Sequence, residues 1–283
     1  SRRSSLAASL RPMALSLRRC QLSANLAMLY REAPFLDRFK RAAAAGFTAV
    51  EISTMELYDH RPAVVERAAK EAGVEVVLFN MRAGDWAAGE RGIAALPGRD
   101  EEHADAVADA RDYAEALDCR KVHCLAGIAD PSSKDHWVAY EKSLRAAVNG
   151  LDPLGVEVLI EAISPQAMPG YLLHSLPLAE RAISALSSPG PAPRLLFDCY
   201  HVGRAHGDVT AQLRRLQGIV GHVQVAGVPD RAEPDEDQEL NYPHLFRVLA
   251  KDLRWEGYVG LEYAPRASTD EGLGWVDRAG LAP

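Results

Sequence analysis

The stretch VLIEAIS, residues 158–164, runs through three apolar residues and stops on an acid, Glu161. Near the other end, YVGLEYAP, residues 258–265, does the same with Glu262. An unbroken apolar run marks a strand covered on both faces, as in a parallel sheet; a half-exposed strand would alternate. A charge closing such a strand has to sit where the strand emerges from its packing.

Reading outward from these two runs, the same unit returns along the chain: a short apolar run, a loop, then an amphipathic stretch. Strands are predicted over 20–26, 48–53, 74–80, 121–126, 155–162, 194–199, 219–226 and 258–263. Helices are predicted over 35–46, 62–73, 99–118, 135–150 and 175–186, and near 208–217 and 242–253. The stretch 62–73 opens on Pro62 and stops at Gly73, the ordinary asymmetry of helix ends. Eight strand–helix units imply parallel pairing through right-handed crossovers, and over about 260 residues they imply one closed (β/α)8 TIM barrel of the α/β class. A doubly wound open sheet would call for a glycine-rich phosphate loop after an early strand, and no GxGxxG or P-loop pattern is present. The longest irregular connection, residues 81–98, follows the third strand, and loops of that length commonly cover binding sites.

Bulk properties narrow the function. The chain has 283 residues, a net charge of −7 and 48% apolar residues, so it is a globular protein ill-suited to nucleic acid or an anionic membrane as partner. No apolar run is long enough to span a bilayer. Cys20, Cys119, Cys124 and Cys199 form no CxxC pair and read as reduced thiols of a cytoplasmic protein. Residues 1–19 carry five Arg and no acid. They are set apart as a basic extension resembling an organelle transit peptide in composition, or as residues upstream of a start at Met13; residues 20–283 form the barrel.

In a barrel the C-terminal strand ends open on one rim, where barrel enzymes place their chemistry. The fifth strand brings Glu161 there and the sixth Asp198, with His201 three residues on. The seventh brings Gln224, with His222 one layer deeper, and the eighth Glu262. One strand-end acid is ordinarily a partner for an arginine or a helix N-terminus. Four oxygen donors from consecutive strands are different: three anions would repel, and a divalent cation removes the repulsion. The donor set suits Mg2+, or Mn2+, better than Zn2+. His222 reads equally as a core histidine, His206 and His244 as surface residues, and residues 234–239 as a solvated acidic loop.

These residues lie within longer stretches that resemble a known family. SANLAMLYREAPFLDRF, AGDWAAGERGIAALPGR, GHVQVAGVPDR, ELNYPHLF and GLEYAPR are similar to the hydroxypyruvate isomerase family of xylose-isomerase-like barrels, which includes 2-oxo-tetronate isomerases. The resemblance covers about residues 21–280. It implies interconversion of hydroxypyruvate and 2-hydroxy-3-oxopropanoate, or of a longer homologue. It places the acid/base pair on Glu161 and Glu262, and a divalent metal on Glu161, Asp198, Gln224 and Glu262. His201 and Arg231 fall where relatives contact substrate. The chain departs from the family at Ser164-Pro165-Gln166, at Val202-Gly203 after His201, and at Ala264, each replacing polar groups near the mouth. A ketose 3-epimerase on the same carboxylates, or a barrel that binds metal or an acid without turnover, are the alternatives. A DNA-repair nuclease of this fold would call for more rim histidines and a basic face. A homo-oligomer is compatible with the sequence.

Overall fold

A computed structural model describes residues 17–186 and 190–281. Eight parallel strands close into a barrel in sequential order: β1 (Leu22–Asn25), β2 (Ala49–Ile52), β3 (Glu75–Asn80), β4 (Lys121–His123), β5 (Glu157–Glu161), β6 (Arg194–Asp198), β7 (Val220–Val225) and β8 (Val259–Leu261). β8 returns to pair with β1, so no edge is left open. The helices on the outside are α1 (Phe35–Ala44), α2 (Pro62–Ala72), α3 (Asp100–Leu117), α4 (Lys134–Leu151), α5 (Leu176–Leu186), α6 (Cys199–Ala205), α7 (Val209–Leu216), α8 (Tyr242–Arg247), α9 (Thr269–Gly272) and α10 (Trp275–Arg278).

Each predicted strand contains the observed one, with ends trimmed. β4 and β8 are each half the expected length; beyond β4, Cys124 still donates its N–H to Leu159, and the chain then leaves the ladder. The helix expected over 242–253 divides into α8 and one π-helical turn, Val248–Asp252. α6 was not foreseen. It follows β6 without a loop, because Asp198 both ends the strand and caps the helix, its Oδ1 accepting the Tyr200 N–H at 2.8 Å.

The main core lies between the barrel wall and the helices. Inside the barrel, Leu78, Leu159 and Leu196 form a separate apolar cluster contributed by β3, β5 and β6. The opposite half of the interior is polar, with Ser23 and Asn25 from β1, Glu51 from β2 and His222 and Gln224 from β7. Two places permit this filling. At Gly260 a Cβ would sit 2.1 Å from Glu51 Oε1, and at Gly221 it would sit 2.7 Å from a Leu159 methyl. Packing begins ahead of the predicted boundary at residue 20, since Leu17 is buried in the core; residues 1–16 of the basic extension lie outside the described residues. Cys119, Cys124 and Cys199 are buried free thiols. Among the described residues no helix is long and apolar enough to cross a membrane.

Candidate active site

Strand register gathers the predicted donors. Asp198 pairs directly with Gln224, and Gln224 with Gly260. Glu262 lies two residues beyond Gly260 and so shares its inward face by the period of two. Its N–H continues the ladder to Val225 O at 3.2 Å. Glu161 closes β5, one strand from Asp198. Glu161, Gln224, Glu262, His201 and Arg231 line one cavity of about 620 Å³ at the barrel mouth. Trp86 and Ala87 of the 81–98 loop also face it, so that loop does reach the site. Glu90 secures the loop through Arg99 (2.6 Å) and the Asp85 N–H (2.6 Å).

The two glutamates are held differently. Glu262 is fully engaged: Oε1 accepts from Ser53 Oγ (3.0 Å) and Asn25 Nδ2 (3.3 Å), and Oε2 from Arg231 Nη2 (3.0 Å). Burial pushes its carboxyl up to about 7; Arg231 opposes that rise, and Asp198 and Glu51 add to it. Glu161 is buried with Oε1 lacking any hydrogen bond. Burial, then the neighbouring Glu262 and Asp198, hold its carboxyl well above the ordinary range. Asp198 is raised by burial too, against the pull of Arg231 and the Tyr200 N–H.

The residues fit a divalent cation. Glu161 Oε1, Asp198 Oδ2 and Gln224 Oε1 are all buried oxygens without a hydrogen-bond partner. Orphaned buried polar atoms are rare unless something binds them. Ligand atoms of Glu161, Asp198 and His201 lie within 4.8 Å of one another. Glu262 does not join that group; its carboxylate is bridged to Asp198 by Arg231, whose Nη2 is 3.5 Å from Asp198 Oδ2.

Hydrogen bonds orient the remaining groups. His201 Nδ1 faces the Ser164 N–H at 3.4 Å and Ser164 Oγ at 3.1 Å, so it accepts and the proton resides on Nε2. Nε2 lies 3.7 Å from Glu161 Oε1 and 3.6 Å from Asp198 Oδ2, beyond hydrogen-bond reach of either. Ser164, one of the departures from the family, thus sets the His201 tautomer. Arg231 takes a left-handed backbone, φ +57°, held by its N–H to Gly227 O and by the Ala264 N–H to its own carbonyl (2.8 Å each). Its guanidinium stacks over the Tyr200 ring at 5.1 Å.

Five residues at the site were not foreseen: His123, Asn80, Ser53, Asn25 and Glu51. His123, at the end of β4, is buried and held down to about 3 by burial, hence neutral. Asn80 Nδ2 donates to Ser53 O, which turns Asn80 Oδ1 toward His123 Nδ1 (3.2 Å). His123 Nε2 is left bare, 3.9 Å from Glu161 Oε2. Ser53 and Asn25 hold Glu262, and Glu51 lies beneath them. A histidine closing an apolar run and an acid inside a predicted strand were the available signals. His222 proves to be a core residue, its Nε2 donating to Glu51 Oε1 at 2.6 Å. His206 and His244 are exposed. The acidic loop 234–239 is paired rather than free, Asp235 with Arg266 (2.6 Å) and Glu236 with Arg278 (2.8 Å).

Residues 39–279 match a family model described as a xylose isomerase-like TIM barrel. A 2-oxo-tetronate isomerase of Cupriavidus necator is 42% identical over 90% of this chain and 97% of its own length. A hydroxypyruvate isomerase of Escherichia coli is 38% identical over 91% of this chain and 98% of its own. A Brucella melitensis crystal structure titled as an AP endonuclease of family 2 superposes with a TM-score of 0.82 at 42% identity, covering 91% of this chain and 98% of that one.

Proposed function

The chain belongs to the xylose isomerase-like TIM barrel family, and from that premise we propose that it is a cation-assisted isomerase of small hydroxy-oxo acids. The reaction is the interconversion of hydroxypyruvate with 2-hydroxy-3-oxopropanoate, or the same shift in a four-carbon 2-oxo acid. The observation that carries this reading is one cavity faced by two glutamates from separate strands, both held above the ordinary carboxyl range by burial, Glu262 at about 7. A carboxyl near pH 7 can take a proton and give one back at comparable cost, which proton transfer between adjacent carbons requires.

In the forward direction one glutamate removes a proton from the hydroxyl-bearing carbon. The electron pair left behind spreads over two carbons and their oxygens as an enediolate. The other glutamate delivers a proton to the neighbouring carbon, while the hydroxyl proton passes from one oxygen to the other. Arg231 holds the substrate carboxylate or an oxygen near Glu262, and the His201 N–H donates to a substrate oxygen beside Glu161. Trp86 covers the mouth and helps keep bulk water from the reacting carbons. Glu161, Asp198 and Gln224, with Glu262 across the cavity, would hold Mg2+ or Mn2+, which would supply positive charge for the developing oxyanions.

The nuclease title of the Brucella structure belongs to that protein. Phosphate-backbone binding would call for a basic face, and this chain carries a net charge of −7. The test is a turnover screen of hydroxypyruvate and four-carbon 2-oxo acids, with Mg2+ and with chelator. Absence of turnover on all of them in the presence of Mg2+ and Mn2+ would remove the isomerase reading.

A further inference from the structure

We propose that Glu51 is a positioning residue that locks the Gln224 side chain with its oxygen toward the cavity, making Gln224 an obligate oxygen donor to the cation. A glutamine amide has two faces of opposite polarity, oxygen and NH2, and nothing in its shape decides which one is presented. At Gln224 the choice is made from beneath. Its Nε2 donates to Glu51 Oε2 at 2.8 Å, which leaves Oε1 buried, unpaired and directed into the site.

The lock requires Glu51 to be an acceptor and nothing else, and its surroundings enforce that. Oε1 accepts from Ser23 Oγ (2.7 Å) and His222 Nε2 (2.6 Å), and Oε2 also faces Asn25 Nδ2 (3.3 Å). Four donors, from Ser23, His222, Asn25 and Gln224, thus converge on the two oxygens of one carboxylate, which leaves Gln224 only an acceptor to meet. The carboxylate's place is reserved by Gly260, where any side chain would collide with it. Asn25 extends the same network to Glu262, since its Oδ1 accepts the Ala27 N–H and its Nδ2 reaches both acids. A neutral amide at position 51 would remove the constraint. It could receive Gln224 by either face, and an NH2 turned to the cavity would repel a cation.

This inference rests on the cation reading of the site, and the experiment separates the two. Mg2+ and Mn2+ are titrated calorimetrically into the full chain, into Glu51→Gln and into Ser23→Ala. Ser23→Ala removes a bond to the same carboxylate without touching Gln224. Wild type binding with Glu51→Gln weaker by about 10- to 100-fold, and Ser23→Ala within about threefold of wild type, is the expected pattern. Wild type binding neither ion overturns the cation reading and this inference with it. Wild type binding while Glu51→Gln binds within about threefold of it overturns the inference alone. Should Glu51→Gln not fold, the wild-type side-chain amide of Gln224 decides, assigned in 15N spectra by its loss in Gln224→Met. One amide proton should be shifted and slow to exchange, and should stay so when Mg2+ is added. An amide pair that resembles a solvated glutamine overturns the lock.

Discussion

Arg231 Nη2 stands 3.0 Å from Glu262 Oε2, and the same nitrogen is 3.5 Å from Asp198. One guanidinium thus serves two carboxylates that the barrel would otherwise leave facing each other. Arg231 lowers the carboxyl of Glu262 against the upward push of burial. Removing it should leave Glu262 protonated to higher pH. In Arg231→Ala the acid limb of the kcat/KM profile is expected to move to higher pH, and activity at neutral pH to fall on the order of 100-fold, matching loss of a charge-assisted contact of about 3 kcal/mol. An unchanged limb would remove Arg231 from the proton-transfer machinery.

Glu161→Gln and Glu262→Gln should each cut kcat by about 10²- to 10⁴-fold or more with the fold intact by circular dichroism. Their stabilities should move the other way. The folded-state value of Glu161 lies above its unfolded one, so its contribution to stability is fully present below the unfolded value and is lost as pH rises through the folded one. At pH 8 in chelator, Glu161→Gln is therefore expected to melt several degrees above wild type. Equal melting temperatures would show that the carboxylate carries no such penalty.

The cation should reverse that penalty. Mg2+ or Mn2+ at a hundred times its dissociation constant should stabilise wild type by about 2.7 kcal/mol, a readily measured rise in Tm. Asp198→Asn, which keeps the α6 cap acceptor but removes the charge, should lose most of the rise. A rise of equal size in Asp198→Asn would place the ion elsewhere.

Acid sensitivity of the fold is expected from a different region. His103 on α3 is buried and donates Nε2–H to Ser143 O on α4 at 2.8 Å. Burial lowers its value below the usual 6.5, so the unfolded chain takes up a proton first. Its contribution to stability is full above pH 6.5 and declines as pH falls below it. Urea midpoints measured from pH 8 to 5 should drop less steeply in His103→Gln than in wild type.

Besides the Glu90 contacts, the loop over the mouth packs its backbone closely against the end of the fourth strand at Gly92. Gly92 has φ +115°, and a Cβ there would lie 2.5 Å from Leu125 O and 2.7 Å from the Gly127 nitrogen. Gly92→Ala should cost about 2 kcal/mol or more and raise KM more than it lowers Tm-independent kcat, as Trp86 loses its place. Steady-state kinetics with thermal melts would check both.

Much of this was legible because parallel barrel strands are buried on both faces. Their apolar runs announce themselves, and an acid that stops one, as Glu161 and Asp198 do, marks the rim. Glu51 and His123 escaped for the complementary reason. Glu51 sits inside its strand rather than at the end, where the pattern offers only an interrupted run, and its role exists only through partners 28, 171 and 173 residues away. The position of Arg231 is also tertiary: a left-handed residue in a loop, whose reach to Glu262 depends on how β7 and β8 lie side by side.

Asp198 has its two oxygens committed to different tasks. Oδ1 begins α6, and only Oδ2 is left for the cavity. The same carboxylate therefore anchors the first turn of the segment that carries His201, so the imidazole and the acid reach the cavity on one short, shared piece of backbone.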